Sequence, residues 1–104
     1  MNINIIIQEL NSLIYKEFND FRGVYFYGSR AKGNYREDSD IDIIIIFDNK
    51  LVYKKKLVLA RIIGFIEYKY DVFIDFHPMT INELQANPYF SNEVINKGIY
   101  YEAA

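Results

Sequence analysis

The apolar positions change period along the chain, and each change marks an element. From Ile3 to Phe21, the residues Ile3, Ile6, Leu10, Leu13, Ile14, Phe18 and Phe21 recur at three and four with Asn, Gln, Glu and Lys between them, which predicts an amphipathic helix. Asn2 and Asn4 are its candidate N-caps. Val24 to Tyr27 is an unbroken apolar and aromatic run, the composition of a strand, and it stops at Gly28-Ser29. Asp40 to Phe47 carries the run Ile43-Ile44-Ile45-Ile46 without alternation, which predicts a strand covered on both faces by helices. Leu51 to Tyr68 returns to helical spacing with two apolar rows: Leu51, Val58, Ile62 and Phe65 beside Val52, Leu59, Ile63 and Ile66. That is more apolar surface than one sheet face needs.

Tyr70 to Phe76 alternates, with Asp71, Phe73 and Asp75 on one face and Val72, Ile74 and Phe76 on the other, so a third strand is predicted that ends at Pro78. Thr80 followed by Glu83 predicts the capping box of a short helix. Asn87-Pro88 interrupts, and Tyr89, Val94, Ile95, Ile99 and Tyr100 resume helical spacing, with Gly98 near the end and Ile99-Tyr100-Tyr101 as a last extended piece. Helices alternating with strands in this order give an α/β (α+β) chain, a sheet with helices packed against it.

With 104 residues the chain is expected to form one domain, 1–104, built on one core. Ten tyrosines and no tryptophan favour surfaces that are dry at one end and wet at the other. A formal charge of −2 argues against a nucleic-acid partner. Cysteine is absent, and neither a signal-peptide pattern nor a membrane-length apolar run is present, so the expectation is a cytoplasmic protein with no membrane contact.

The chemistry concentrates between Val24 and Phe47. Gly28 lets the backbone turn sharply towards a ligand, and the amides that follow, with the Ser29 hydroxyl, offer donors to an anion. Arg30-Ala31-Lys32 is a candidate helical turn closed by Gly33. Beyond it, Ser39-Asp40-Ile41-Asp42 opens the most apolar strand. Side chains two apart on a strand share a face about 7 Å apart, so Asp40 and Asp42 repel by about 2 kcal/mol at an effective dielectric of about 20. A hard divalent cation such as Mg²⁺ would relieve this, filling its other positions with water and phosphate oxygens. A pair of ions needs a third acid from a neighbouring strand, and of Asp75 and Asp71 the first is favoured because it lies within apolar sequence.

Gly28-Ser29-Arg30-Ala31-Lys32-Gly33 followed by Ser39-Asp40-Ile41-Asp42 resembles the motif of the DNA polymerase β-like nucleotidyltransferase superfamily. More closely, the chain resembles the minimal nucleotidyltransferase (MNT) antitoxins that partner HEPN toxins, over nearly its whole length, including the tail from Asn87-Pro88 to Lys97-Gly98. Lys32 and Glu37 depart from the usual Arg and Pro. The resemblance implies the nucleotidyltransferase fold, a small mixed sheet with packed helices. It also implies Mg²⁺-dependent transfer of AMP from ATP to a tyrosine of a HEPN RNase toxin, in a hetero-oligomer with that toxin. Asp40, Asp42 and Asp75 would be the catalytic and metal-binding acids for two Mg²⁺ ions. Gly28, Ser29, Arg30, Gly33 and Ser39 would bind the nucleotide.

Two other functions fit the residues: an antitoxin that acts by occlusion alone, and a small-molecule (antibiotic) nucleotidyltransferase, which ordinarily needs a further acceptor-binding domain. Plainer roles compete at single positions. Asp75 can instead pair with Lys69 or Arg61, His77 can serve packing or solvation, and Lys54-Lys55-Lys56 reads as a solvated helix face.

Overall fold

The computed structural model describes residues 2–28, 31, 33 and 40–104. Helix α1 spans Ile3–Glu17, and its start is capped by Asn2, whose side chain accepts a hydrogen bond from the Asn4 amide. It turns Ile6, Ile7, Leu10 and Ile14 into the core. The helix stops four residues short of the predicted Phe21. Phe18 and Phe21 are buried as expected, but Phe18 has extended backbone and Phe21 opens strand β1 (Phe21–Tyr27). Both rings pack on Phe47, so helical spacing here reflects a shared core rather than a continuous helix.

β2 runs Ile41–Phe47, antiparallel to β1, and the isoleucine run is buried throughout. α2 covers Tyr53–Tyr70, two residues later at each end than predicted, and closes with Asp71 in the left-handed conformation (φ 53°). Its buried row is Leu59, Ile63 and Ile66, whereas Phe65 and Val52 from the predicted apolar rows are exposed.

β3 differs most from the sequence reading. It runs Ile74–Met79, so Tyr70 belongs to α2 and Pro78 lies inside the strand. Pro78 is tolerated because the sheet order is β3-β2-β1-β4 and β3 is an edge strand, where a missing N–H can face away from the ladder. β3 is parallel to β2, which makes the sheet mixed. α3 (Ile81–Gln85) carries the predicted capping box between Thr80 and Glu83. The predicted last helix is α4 (Pro88–Ser91) continued by a π-helical turn (Asn92–Asn96), and β4 (Ile99–Glu102) pairs antiparallel with the outer edge of β1.

Two layers of apolar side chains result. α1 and α2 cover one face of the sheet over Val24, Phe26, Ile41, Ile43, Ile45 and Phe47. On the other face, Leu84 and Val94 pack on Ile44 and Ile46 with Tyr25 and Tyr27 beside them. Among the described residues these last elements reach Ile44 and Ile46 but leave Asp42 partly and Asp75 largely exposed at the starts of β2 and β3. None of the described helices is long and apolar enough to cross a membrane.

Candidate active site

The candidate site lies at the end of the second face where β1 finishes and β2 and β3 begin. Register sets the site: Tyr27 lies opposite Asp42 across the antiparallel pair, and Asp42 lies opposite Asp75 across the parallel one. Laterally paired residues point to the same face, so Tyr27, Asp42 and Asp75 form one row across three strands. The Asp42 and Asp75 carboxyl groups stand side by side across the β2–β3 pair. Asp40 sits just ahead of β2, exposed, and its charge bears on Asp42.

Several backbone contacts fix the row. The Ile41 amide donates to the Phe73 carbonyl at 2.9 Å, and the Ile74 amide donates to the Glu67 carboxylate at 2.9 Å, which ties the starts of β2 and β3 to each other and to α2. Gly28 follows β1 with φ +84°, and a Cβ placed there would stand 2.4 Å from Asp42 Oδ2. The Gly28 backbone therefore lies directly against the carboxylate, where only glycine fits. Gly33 also has positive φ, but no atom lies within 4 Å of where its Cβ would be.

Like charges brought together out of water raise an acid's pKa, and Asp42 shows this. Burial first, then the charges of Asp75 and Asp40 and the hydrogen bond with Asp75, push its carboxyl above the ordinary value, with His77 opposing. Burial and then the charges of Asp42 and Asp75 push the half-buried Tyr27 hydroxyl up to about 12, so it is a protonated donor at neutral pH. The Tyr27 ring is held edge-on by Phe90 at 5.6 Å between centroids.

The row brings together Asp42 and Asp75, with Asp40 and Gly28 at its margin. Asp71, the other candidate for a third acid, ends α2 and takes no part in β3. Asp75 pairs with neither Lys69 nor Arg61: Lys69 binds Glu9 at 2.8 Å, and the partner of Asp75 is His77, Nε2 to Oδ1 at 3.2 Å. Sequence reasoning missed that role for His77, although two-residue alternation from Asp75 places it on the same face. It missed Tyr27 as well, since nothing in the chain before Gly28 reveals which residue will stand opposite Asp42. Ser29, Arg30, Lys32 and Ser39 lie outside the described residues.

The acidic donors at the row are carboxylate oxygens, set so that Asp75 and Asp40 oppose the ionisation of Asp42, which fits a hard cation. Among the described residues, no group of three or more His, Cys, Asp or Glu side chains is drawn tightly enough to cage an ion by itself. Mg²⁺ suits such a partial seat, because it commonly takes one or two carboxylates and leaves its remaining positions to water and phosphate.

The fold is shared with solved structures. A chain of the crystal structure of a toxin-antitoxin with AMP-PNP superposes with a TM-score of 0.64, at 22% identity over 96% of this chain and 72% of that one. A chain from the tri-AMPylated Shewanella oneidensis HEPN toxin in complex with MNT antitoxin gives a TM-score of 0.60 at 16% identity, covering 93% and 69%. In sequence, the chain is 33% identical over 76 residues to the Methanocaldococcus jannaschii protein named "Putative protein adenylyltransferase MJ0141", covering 73% of this chain and 74% of that protein. The family model described as nucleotidyltransferase domain matches residues 5–101. The chain belongs to that family and is a nucleotidyltransferase.

Proposed function

We propose that the chain is an antitoxin that transfers AMP from ATP to a tyrosine hydroxyl of a HEPN-type toxin, silencing it. The observation that carries the reading is the Asp42–Asp75 carboxyl pair, set in register across β2 and β3 against the Gly28 backbone. It is supported by the names of the similar proteins, which include a protein adenylyltransferase, a complex with AMP-PNP and an AMPylated HEPN toxin.

Asp40, Asp42 and Asp75 would hold Mg²⁺. When bound, it supplies neutralisation of the triphosphate charge and of the leaving pyrophosphate. Gly28 brings backbone close to the phosphates, and by the motif Ser29, Arg30, Gly33 and Ser39 help to seat them. Asp75, oriented by His77, accepts the proton of the incoming tyrosine hydroxyl. The bond formed joins the tyrosine oxygen to the α-phosphorus, the α–β phosphoanhydride bond breaks, and pyrophosphate leaves with the electron pair. Tyr27, kept protonated, is placed to donate a hydrogen bond into the same space.

The test is to co-express the chain with a candidate HEPN-type partner, purify both, and incubate them with α-labelled ATP and Mg²⁺. Label on a tyrosine of the partner is expected, and Asp42→Asn should abolish labelling and growth rescue while the complex still forms. If growth is rescued with no label transferred, neutralisation is by occlusion and the transferase reading is wrong.

A further inference from the structure

α2 buries Leu59, Ile63 and Ile66, yet its opposite face is also apolar. Tyr53, Leu57, Gly64 and Tyr68 fall within about 60° of arc on a helix of 3.6 residues per turn, in a line about 22 Å long. Tyr53 is 74% and Tyr68 90% exposed, and Leu57 and Phe65 are about half exposed. Such a stripe contributes nothing to this chain's own core. Beyond its C-terminal end stands Phe73, 74% exposed, whose carbonyl accepts the hydrogen bond that starts β2 beside Asp42. The C-terminal end of the stripe is thus at the end of α2 that precedes β3, with the sheet between the stripe and the acid row.

Its flanks are mostly basic. Lys54 and Arg61 border it on one side, and on the other Lys56 stands with Glu67, whose carboxylate accepts from the Ile74 amide. Among the described residues these three cations have no acidic partner, while Lys69 is taken by Glu9 and Lys55 lies over the Phe18 ring. In the middle of the line, Ala60 and Gly64 form a notch: a Cβ on Gly64 would meet nothing within 4 Å. Small residues at the centre of a helix face let a second helix approach closely. With aromatic side chains worth roughly 150–250 Å² each, the exposed part of this stripe is on the order of 400 Å². That is about half of the roughly 800 Å² per partner of a stable interface.

We infer that this face of α2 is the docking surface for the protein acceptor, and that it takes an amphipathic helix with an apolar ridge and acidic flanks. The inference rests on the protein-acceptor reading above and deepens it. Charge selects the occupant. A second copy would set the same cations against one another, whereas an acidic helix pairs with Lys54, Lys56 and Arg61. Docked there, the partner lies on the helix whose C-terminal end leads through Phe73 into β3 and Asp75.

The experiment titrates ¹⁵N-labelled protein with a synthetic helical peptide bearing a leucine ridge and glutamate flanks, and with a twin bearing lysine flanks. The glutamate peptide should shift the amides of Tyr53, Leu57, Gly64 and Tyr68 and bind at least tenfold more tightly than the twin. Gly64→Leu, whose Cβ enters open space and whose side chain fills the notch, should weaken it at least tenfold with the spectrum otherwise intact, and Arg61→Glu should narrow the preference between the twins. Equal binding of both peptides, absence of binding, unchanged affinity in Gly64→Leu, preferential binding of oligouridylate to this face, or a dimer in sedimentation that Gly64→Leu dissolves would each overturn the assignment. No nucleotide is present, so failure here leaves AMP transfer standing, and failure of labelling leaves the docking surface standing.

Discussion

At the scale of single residues, Asp42 is held where its charge is unwelcome in the metal-free protein. Its carboxyl is raised by burial and by Asp75 and Asp40, so the folded state binds its proton more tightly than the unfolded chain does. Ionised Asp42 is therefore a penalty that is absent at acid pH, sets in as pH climbs through the ordinary carboxylate range, and persists above the raised value. Asp42→Asn should remove it. Thermal unfolding is expected to show the variant as stable as the parent or more so at neutral pH, by under about 1 kcal/mol because the side chain is only partly buried, with the advantage vanishing towards pH 3. Mg²⁺ should raise the midpoint of the parent and not of the variant, since an ion bound only to the native state stabilises it. Nucleotide transfer should fall on the order of 100-fold or more. Gly28 makes the complementary case. Alanine there meets both a left-handed backbone and the Asp42 oxygen, so Gly28→Ala should cost about 1–2 kcal/mol in chemical denaturation and lower transfer as well.

Among the elements, β3 decides whether the acids meet. Its parallel pairing with β2 sets Asp75 beside Asp42, and its start is pinned by the Glu67 side chain accepting from the Ile74 amide. Glu67→Ala should loosen that end and reduce kcat more than nucleotide affinity, measurable as a split between turnover and Mg²⁺-nucleotide binding. Thr80→Ala, which breaks a capping box remote from the acids, should cost about 1 kcal/mol of stability and leave turnover unchanged. The capping box was legible because it is local chemistry, a hydroxyl and a carboxylate three residues apart. The isoleucine strand was legible because a segment buried on both faces needs no alternation. The bounds of β3 were not, because Tyr70 to Phe76 alternates whether it is strand or the end of a helix followed by a turn. Pro78 reads as a stop unless the strand is known to be an edge. Asp75 was found by its chemistry, whereas its partner His77 depended on a register that only the sheet order supplies.

For the molecule as a whole, the problem is to keep a four-stranded sheet in place when its outer strand, β4, is four residues long and half exposed. Asn11 solves it from inside α1. It is the buried polar side chain among the described residues, and it donates to the carbonyls of Tyr101 and Glu102 while accepting from the Ala104 amide at 3.0 Å. One amide group so fastens the first helix to the last strand, and through β4 it backs the edge of β1, at whose far end Tyr27 and Gly28 meet Asp42. Replacing Asn11 by leucine keeps its branched shape, at a larger volume, but strands two carbonyls and an N–H against an apolar side chain. Leaving a buried group unpaired costs about 1–3 kcal/mol, so Asn11→Leu should destabilise by about 2–3 kcal/mol in urea. The damage should also be uneven. Amides of Ile99–Glu102 and of their β1 partners should exchange faster, while those of β2 and β3, on the opposite side of the sheet, should keep their protection. Uniform loss of protection would show that β4 unfolds only with the whole sheet, and that Asn11 guards the fold rather than one edge of it.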